Sequence, residues 1–199
     1  MADGQPGETN VTRRPREQLL AAVVAELETS GSSDLSLRDL ASRVGTSHRM
    51  LIYHFGSKAE LLVAVAQEVE REQQAALADL GAAAAGGDPR EVAEAMWQRT
   101  TAPDLADRAR LFYELYGQAL MGRPGTTQIL EGDVDRWVDG AAALLEAQGT
   151  DSRQARVDAR LSLAVVRGLL LDLLASGDRA AVDAAHARFL DLYEAHRDD

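Results

Sequence analysis

Apolar residues recur at three- and four-residue intervals along almost the whole chain, and no sustained alternating run interrupts them. That periodicity suits helices with one buried face and leaves no segment patterned like a half-buried strand. The chain should therefore be all-α. Leu19, Leu20, Val23, Val24 and Leu27 form the first stripe, which Pro15 would open and Gly31 would close. Leu37, Leu40, Ala41 and Val44 follow at i, i+3, i+4, i+7, behind Ser36 as N-cap and with Asp39 three residues after it. Gly45 ends this second helix.

Thr46 or Ser47 can cap a short third helix, whose inward residues should be Leu51 and Phe55. Ser57-Lys58-Ala59-Glu60 has the form of a capping box, so a long helix starts there and runs toward Leu80. The stretch 81–89, GAAAAGGDP, should break it, with Gly86, Gly87 and Pro89 as breakers. Further helices are expected near 90–101, 104–121, 126–148, 151–176 and 179–196, giving about nine in all. The most apolar run, 161–175, contains Arg167 and Asp172 and is shorter than the roughly 20 residues a membrane span needs, so it reads as a buried helix. With 199 residues, 46% of them hydrophobic, the chain can bury a substantial core. It has no cysteine, which excludes disulfides and thiolate chemistry, and its polar first ten residues lack a signal peptide's apolar stretch. The expected location is cytoplasmic.

Charge is divided unevenly. The chain carries a formal −11, yet residues 11–58 hold seven basic side chains against five acidic ones, a net +2 that leaves −13 for the rest. An anion-facing head on an acidic body is implied. Within that head the second and third helices, joined by Val44-Gly45-Thr46-Ser47, have the proportions of a helix-turn-helix. Residues 46–58 contain the single lysine, two of four histidines and no acid, as a helix entering a DNA major groove requires. The candidate DNA-contacting residues are Arg38, Thr46, Ser47, His48, Arg49, Met50, Tyr53, His54 and Lys58, with Arg49 suited to a bidentate contact with guanine. Arg13, Arg14 and Arg16 form an arm that could reach phosphate or the minor groove.

Over Ser36-Leu37-Arg38-Asp39-Leu40-Ala41-Ser42-Arg43-Val44-Gly45-Thr46-Ser47, Leu51, His54-Phe55 and Lys58-Ala59-Glu60-Leu61-Leu62, the sequence resembles the TetR-type transcriptional regulators. The resemblance implies a homodimer with a DNA-binding head, here residues 11–58, and an effector-binding and dimerisation body, here 59–199. It also implies a repressor on a palindromic operator, released by a small molecule. His48-Arg49-Met50 departs from the basic-Gly-Thr/Ser often found after the turn serine, and Ile52 stands where many relatives have Tyr. These departures point to a different operator rather than a different fold.

In the body, Met96, Trp97, Phe112, Tyr113, Tyr116, Met121 and Trp137 are candidates for lining a pocket for a small, mostly apolar effector. Leu161, Val165, Leu169 and Leu173, with Val182, Phe189 and Tyr193, are candidates for a dimer interface, two helices from each subunit forming a four-helix bundle. No cofactor or metal site is expected. An enzyme is disfavoured because the four histidines are scattered and no nucleophile, base and orienting acid cluster. The alternative is a DNA-independent interaction protein that keeps the helix-turn-helix as a scaffold.

Overall fold

The computed structural model describes residues 8–31, 33–83 and 87–197. Among them are nine α-helices, two single 3-10 turns and no strand, so the fold is all-α. The helices are α1 Glu8–Ser30, α2 Leu37–Arg43, α3 His48–Phe55, α4 Lys58–Ala83, α5 Pro89–Thr100, α6 Ala106–Leu120, α7 Asp133–Ala147, α8 Ser152–Ser176 and α9 Arg179–Arg197. None of the described helices is long and apolar enough to cross a membrane.

The chain forms two compact units, one of residues 8–71 and 107–131, the other of 72–106 and 132–197. In the first, the stripe of α1 (Leu20, Val23, Val24, Leu27) packs with Leu40 and Ala41 of α2 and with Leu51 and Phe55 of α3. Leu61, Leu62, Val65, Ala66 and Val69 of α4 and Leu111, Phe112, Leu115 and Ala119 of α6 complete this core. Burial of each larger side chain contributes about 1.5–3 kcal/mol. Polar ties reinforce it. Glu114 of α6 accepts hydrogen bonds from the Ser33 backbone N–H (3.2 Å), the Ser33 hydroxyl and the Gln118 amide (3.0 Å), fixing the α1–α2 loop.

Two expected boundaries move. α1 begins at Glu8, so Pro15 lies inside it rather than opening it. Pro15 is exposed there and, lacking an N–H, removes one backbone hydrogen bond from the helix. The helix expected over 126–148 starts only at Asp133, because Gly132 adopts φ +65° and breaks a single 3-10 turn at Thr127–Ile129 from α7. The break expected at 81–89 falls partly on residues 84–86, including Gly86, which lie outside the described residues.

Gly125, in the turn after α6, has φ +80°, and a Cβ there would stand 2.7 Å from the Cβ of Ala59 in the first turn of α4. Both the left-handed backbone and the contact exclude a side chain. Gly125→Ala should destabilise this unit by about 2–3 kcal/mol in chemical denaturation, whereas Gly149→Ala, with φ +92° but open space around it, should lose only the backbone part, about 1 kcal/mol.

In the second unit α7 packs along α8 and α8 along α9. Val138 and Ala142 of α7 meet Ala155 and Ala159 of α8, whose small side chains allow close approach. At the start of α7, Asp133 is 1% exposed and accepts a hydrogen bond from Arg167 Nη2 at 2.9 Å. The other face of α8 is apolar and uncovered: Val157, Leu161, Ala164, Gly168, Leu171 and Ala175 are all exposed. Their spacing, alternating four and three residues, is that of a helix–helix seam.

Candidate nucleic-acid interface and effector cavity

The helix-turn-helix is built by local chemistry. Ser36 caps α2 by accepting from the Asp39 N–H at 3.2 Å. The helix ends at Gly45, φ +70°, where the Thr46 N–H reaches back to the Ala41 carbonyl at 2.9 Å and the Gly45 N–H to that of Ser42. These two bonds form a Schellman turn, which needs glycine at the left-handed position. Ser47, not Thr46, then caps α3, its hydroxyl accepting from the Met50 N–H at 3.2 Å. Leu51 and Phe55 are buried, which fixes the opposite face outward.

That outward face holds most of the residues singled out in the sequence. Ser47, His48, Arg49, Met50 and Tyr53 are exposed, Tyr53 by 69%, together with Ile52, and no acid lies among them. Arg38 is exposed on α2, and Thr46 is half-buried in the turn. His54 and Lys58 are half-buried, and the His54 ring packs edge-on against Tyr53 and Phe55. The side chains of Arg13 and Arg14 lie outside the described residues. Arg16 instead folds onto α3: its Nε donates to the His54 carbonyl at 3.3 Å and its guanidinium sits 4.9 Å from the centre of the Phe55 ring. It closes the C-terminal end of α3 and orients it against α1, a positioning role that reading it as part of a free arm overlooked.

The second unit contains a cavity of about 240 Å³ lined by residues of α4, α5, α7, α8 and α9. This is just below the roughly 300–1,000 Å³ usual for small-molecule sites. Met96, Trp97 and Trp137 line it, as the sequence led us to look for. Phe112, Tyr113, Tyr116 and Met121 do not: the first three pack together in the core of the other unit, and Met121, at the end of α6, is 87% exposed. The aromatic cluster in the sequence is split because the turn preceding α6 carries the chain from one unit into the other.

The candidate dimer set divides similarly. Leu161 is exposed, and Val165, Leu169 and Leu173 are half-buried. Val182 is buried within the protomer, and Phe189 and Tyr193 line the cavity. α9 therefore turns its Val182–His186–Phe189–Tyr193 stripe inward, and the large apolar residue among its described ones that it leaves outside, with several alanines, is Leu192.

His186, one of the four histidines scattered in the sequence, lies in the cavity wall. Its ring stacks on Trp97, 4.5 Å between centroids and 9° between planes, while the Trp97 indole N–H donates to Asp183 at 2.7 Å. Burial pushes its pKa below the ordinary imidazole value of 6.5, opposed by the charges of Asp183 and Glu94 and aided by Arg90. At the cavity's edge Arg90 donates to Glu94, Asp191 and Glu194 at 2.8–3.0 Å; of these four residues, Arg90 and Glu194 line the cavity.

A histidine held neutral by the fold binds fewer protons than its unfolded counterpart at acid pH. Stability should thus be unaffected by this group well above pH 6.5 and should decline as pH falls through 6.5 toward the lowered folded value. His186→Phe, which keeps the stack on Trp97, should flatten this limb in urea denaturation between pH 8 and 5. An equally steep acid limb in the variant would assign it to other groups.

Residues 19–65, spanning the later part of α1 through the first turns of α4, match the family model for bacterial regulatory proteins of the tetR family. The helix-turn-helix region is thus similar to that family over about a quarter of the chain. A curated relative, the HTH-type transcriptional regulator BetI of Stenotrophomonas maltophilia (strain R551-3), is 34% identical over 76 residues, a match that spans 38% of either chain. Among solved structures, a transcriptional regulator from Rhodococcus sp. Rha1 is similar over 88% of this chain and 96% of its own, with a TM-score of 0.71 and 24% identity. The multidrug binding protein EbrR, crystallised with imidazole, is similar over 96% of this chain and 97% of its own, at a TM-score of 0.64 and 25% identity. A Saccharomonospora viridis protein described as a transcriptional regulator, crystallised with choline, is similar over 92% and 96% of the two chains, at 0.68 and 21%. The TetR fold thus extends through both units, while the sequence match is concentrated in the helix-turn-helix.

Proposed function

We propose that this protein is a TetR-family homodimeric repressor that reads a palindromic operator with α3 and is released by a small-molecule effector. The observation that carries the DNA-reading part is the outward face of α3, where Ser47, His48, Arg49 and Tyr53 are exposed with no acid beside them. His48 and Arg49 reach base edges; Tyr53, His54, Lys58 and Arg38 contact phosphate. Residues 11–58 serve as the DNA-binding part and 59–199 as the effector-binding and dimerisation part.

The exposed apolar stripe of α8, with Leu192 of α9, supports a two-fold interface in which two helices of each subunit form a four-helix bundle. The cavity supports effector binding. For the effector to release DNA it must bind the DNA-incompetent arrangement more tightly than the competent one, since equal affinity shifts nothing. The choline and imidazole complexes of the two structural relatives are consistent with small ligands in this fold.

Selection of bound fragments from genomic DNA by the purified protein tests the reading. An inverted repeat should be enriched. Arg49→Ala should lower affinity for the selected site by about 1–3 kcal/mol and relax preference at the guanine it reads, measured by binding to a set of singly substituted sites. A uniform loss across all substitutions would make Arg49 a phosphate contact instead.

A further inference from the structure

We infer that the effector is an uncharged, flat aromatic molecule of about two rings that carries one hydrogen-bonding group, and that His186 receives this group; the inference rests on the cavity being the effector site. Two buried polar side chains of the wall are without partners. His186 is 4% exposed and Thr100 6%, both line the cavity, and among the described residues no group hydrogen-bonds the imidazole nitrogens or the Thr100 hydroxyl. Buried polar groups are normally satisfied, so an unused pair facing a cavity is what a ligand's polar atom would complete. Of the other polar lining groups, the Trp97 N–H is engaged by Asp183 and the Tyr193 hydroxyl by Asp158 at 3.2 Å, while Ser162 is half-buried and Gln148 is exposed, so neither carries the desolvation of His186 and Thr100.

Charge selectivity follows from the same wall. At the edge Arg90 is bonded to Glu94, Asp191 and Glu194, whose side chains are about half exposed, so the excess of carboxylate there is tied to Arg90 and faces solvent. α7 and α8 contribute only apolar side chains and Ser162 besides the Trp137 indole, with the exposed Gln148 just after α7. Neither a carboxylate nor an ammonium on the ligand would find an uncommitted counter-charge there, and each would lose its hydration. Trp137 and Phe189 offer ring surface for a flat apolar body, and the volume near 240 Å³ limits its size. A neutral imidazole can either donate or accept, so a phenol-type hydroxyl or an aryl carbonyl would serve equally.

Calorimetric titration of the full-length protein at pH 8 with naphthalene, 2-naphthol, 2-naphthoate and trimethyl(2-naphthyl)ammonium separates the possibilities, with thermal unfolding as a check on each variant's fold. 2-Naphthol should bind about tenfold more tightly than naphthalene, the scale of one buried hydrogen bond, and both ions at least about a hundredfold more weakly than 2-naphthol. In His186→Phe the two neutral compounds should bind alike, and in His186→Asn, which restores a donor and an acceptor, part of the preference should return. An ion binding as tightly as 2-naphthol, or a preference for 2-naphthol that survives in His186→Phe, would overturn the inference while leaving the cavity as a binding site. Failure of all four to bind saturably would overturn the effector-site reading as well.

Discussion

Leu161→Arg is expected to convert the protein to a monomer and to weaken operator binding by at least about a hundredfold. Leu161 lies in the exposed stripe of α8, so the side chain is not part of the protomer core and the folded monomer should tolerate the change. In a two-fold interface the same residue occurs twice, so one substitution buries two cations in an apolar seam with nothing to pair them. A dimer engages its second half-site as an intramolecular event, and losing that linkage typically removes two to four orders of magnitude of affinity. Sedimentation velocity reads the first effect and fluorescence anisotropy on the selected operator the second. A variant that stays dimeric with unaltered DNA affinity would exclude this face of α8 from the interface.

The second large effect concerns stability. Asp133 Oδ2 accepts from Arg167, whereas its Oδ1 is buried and has no partner among the described residues. Arg167→Met would leave a carboxylate that is 1% exposed without its counter-ion, at an expected cost of about 3–5 kcal/mol in urea denaturation. Replacing both residues, as Asp133→Leu with Arg167→Met, should recover most of that loss, because an apolar pair of similar volume escapes the desolvation that the ion pair bears. A single variant within 1 kcal/mol of wild type would show that Asp133 finds water or another donor when Arg167 is removed.

What the sequence disclosed depended on how local the responsible interactions are. Caps, turn glycines and the 3.6-residue stripe act over a few residues, so α2, the turn at Gly45 and α3 could be placed from Ser36, Gly45 and the Thr46-Ser47 pair, between which only the structure chose the cap. Pro15 misled because a first-turn preference competes with an exposed position where an interior proline is tolerated. The cavity was less legible. Phe112, Tyr113 and Tyr116 lie near Trp97 and Trp137 in sequence, but which unit a helix joins is decided by long-range packing that aromatic content does not encode. α9 illustrates the same limit from the other side: Val182, His186, Phe189 and Tyr193 share one face at helical spacing, but spacing cannot tell a face that meets its own protomer from one that meets another. His186 on that stripe was the available signal for the cavity wall.

The central claim is that α3 reads DNA sequence, and one equilibrium experiment addresses it directly. The wild-type protein should be titrated with its selected operator and with a scrambled duplex of equal length, at several salt concentrations. The account predicts at least about a thousandfold preference for the operator and a log–log salt dependence steep enough to imply several phosphate contacts. Equal affinity for the two duplexes would contradict it and favour a helix-turn-helix retained as a scaffold.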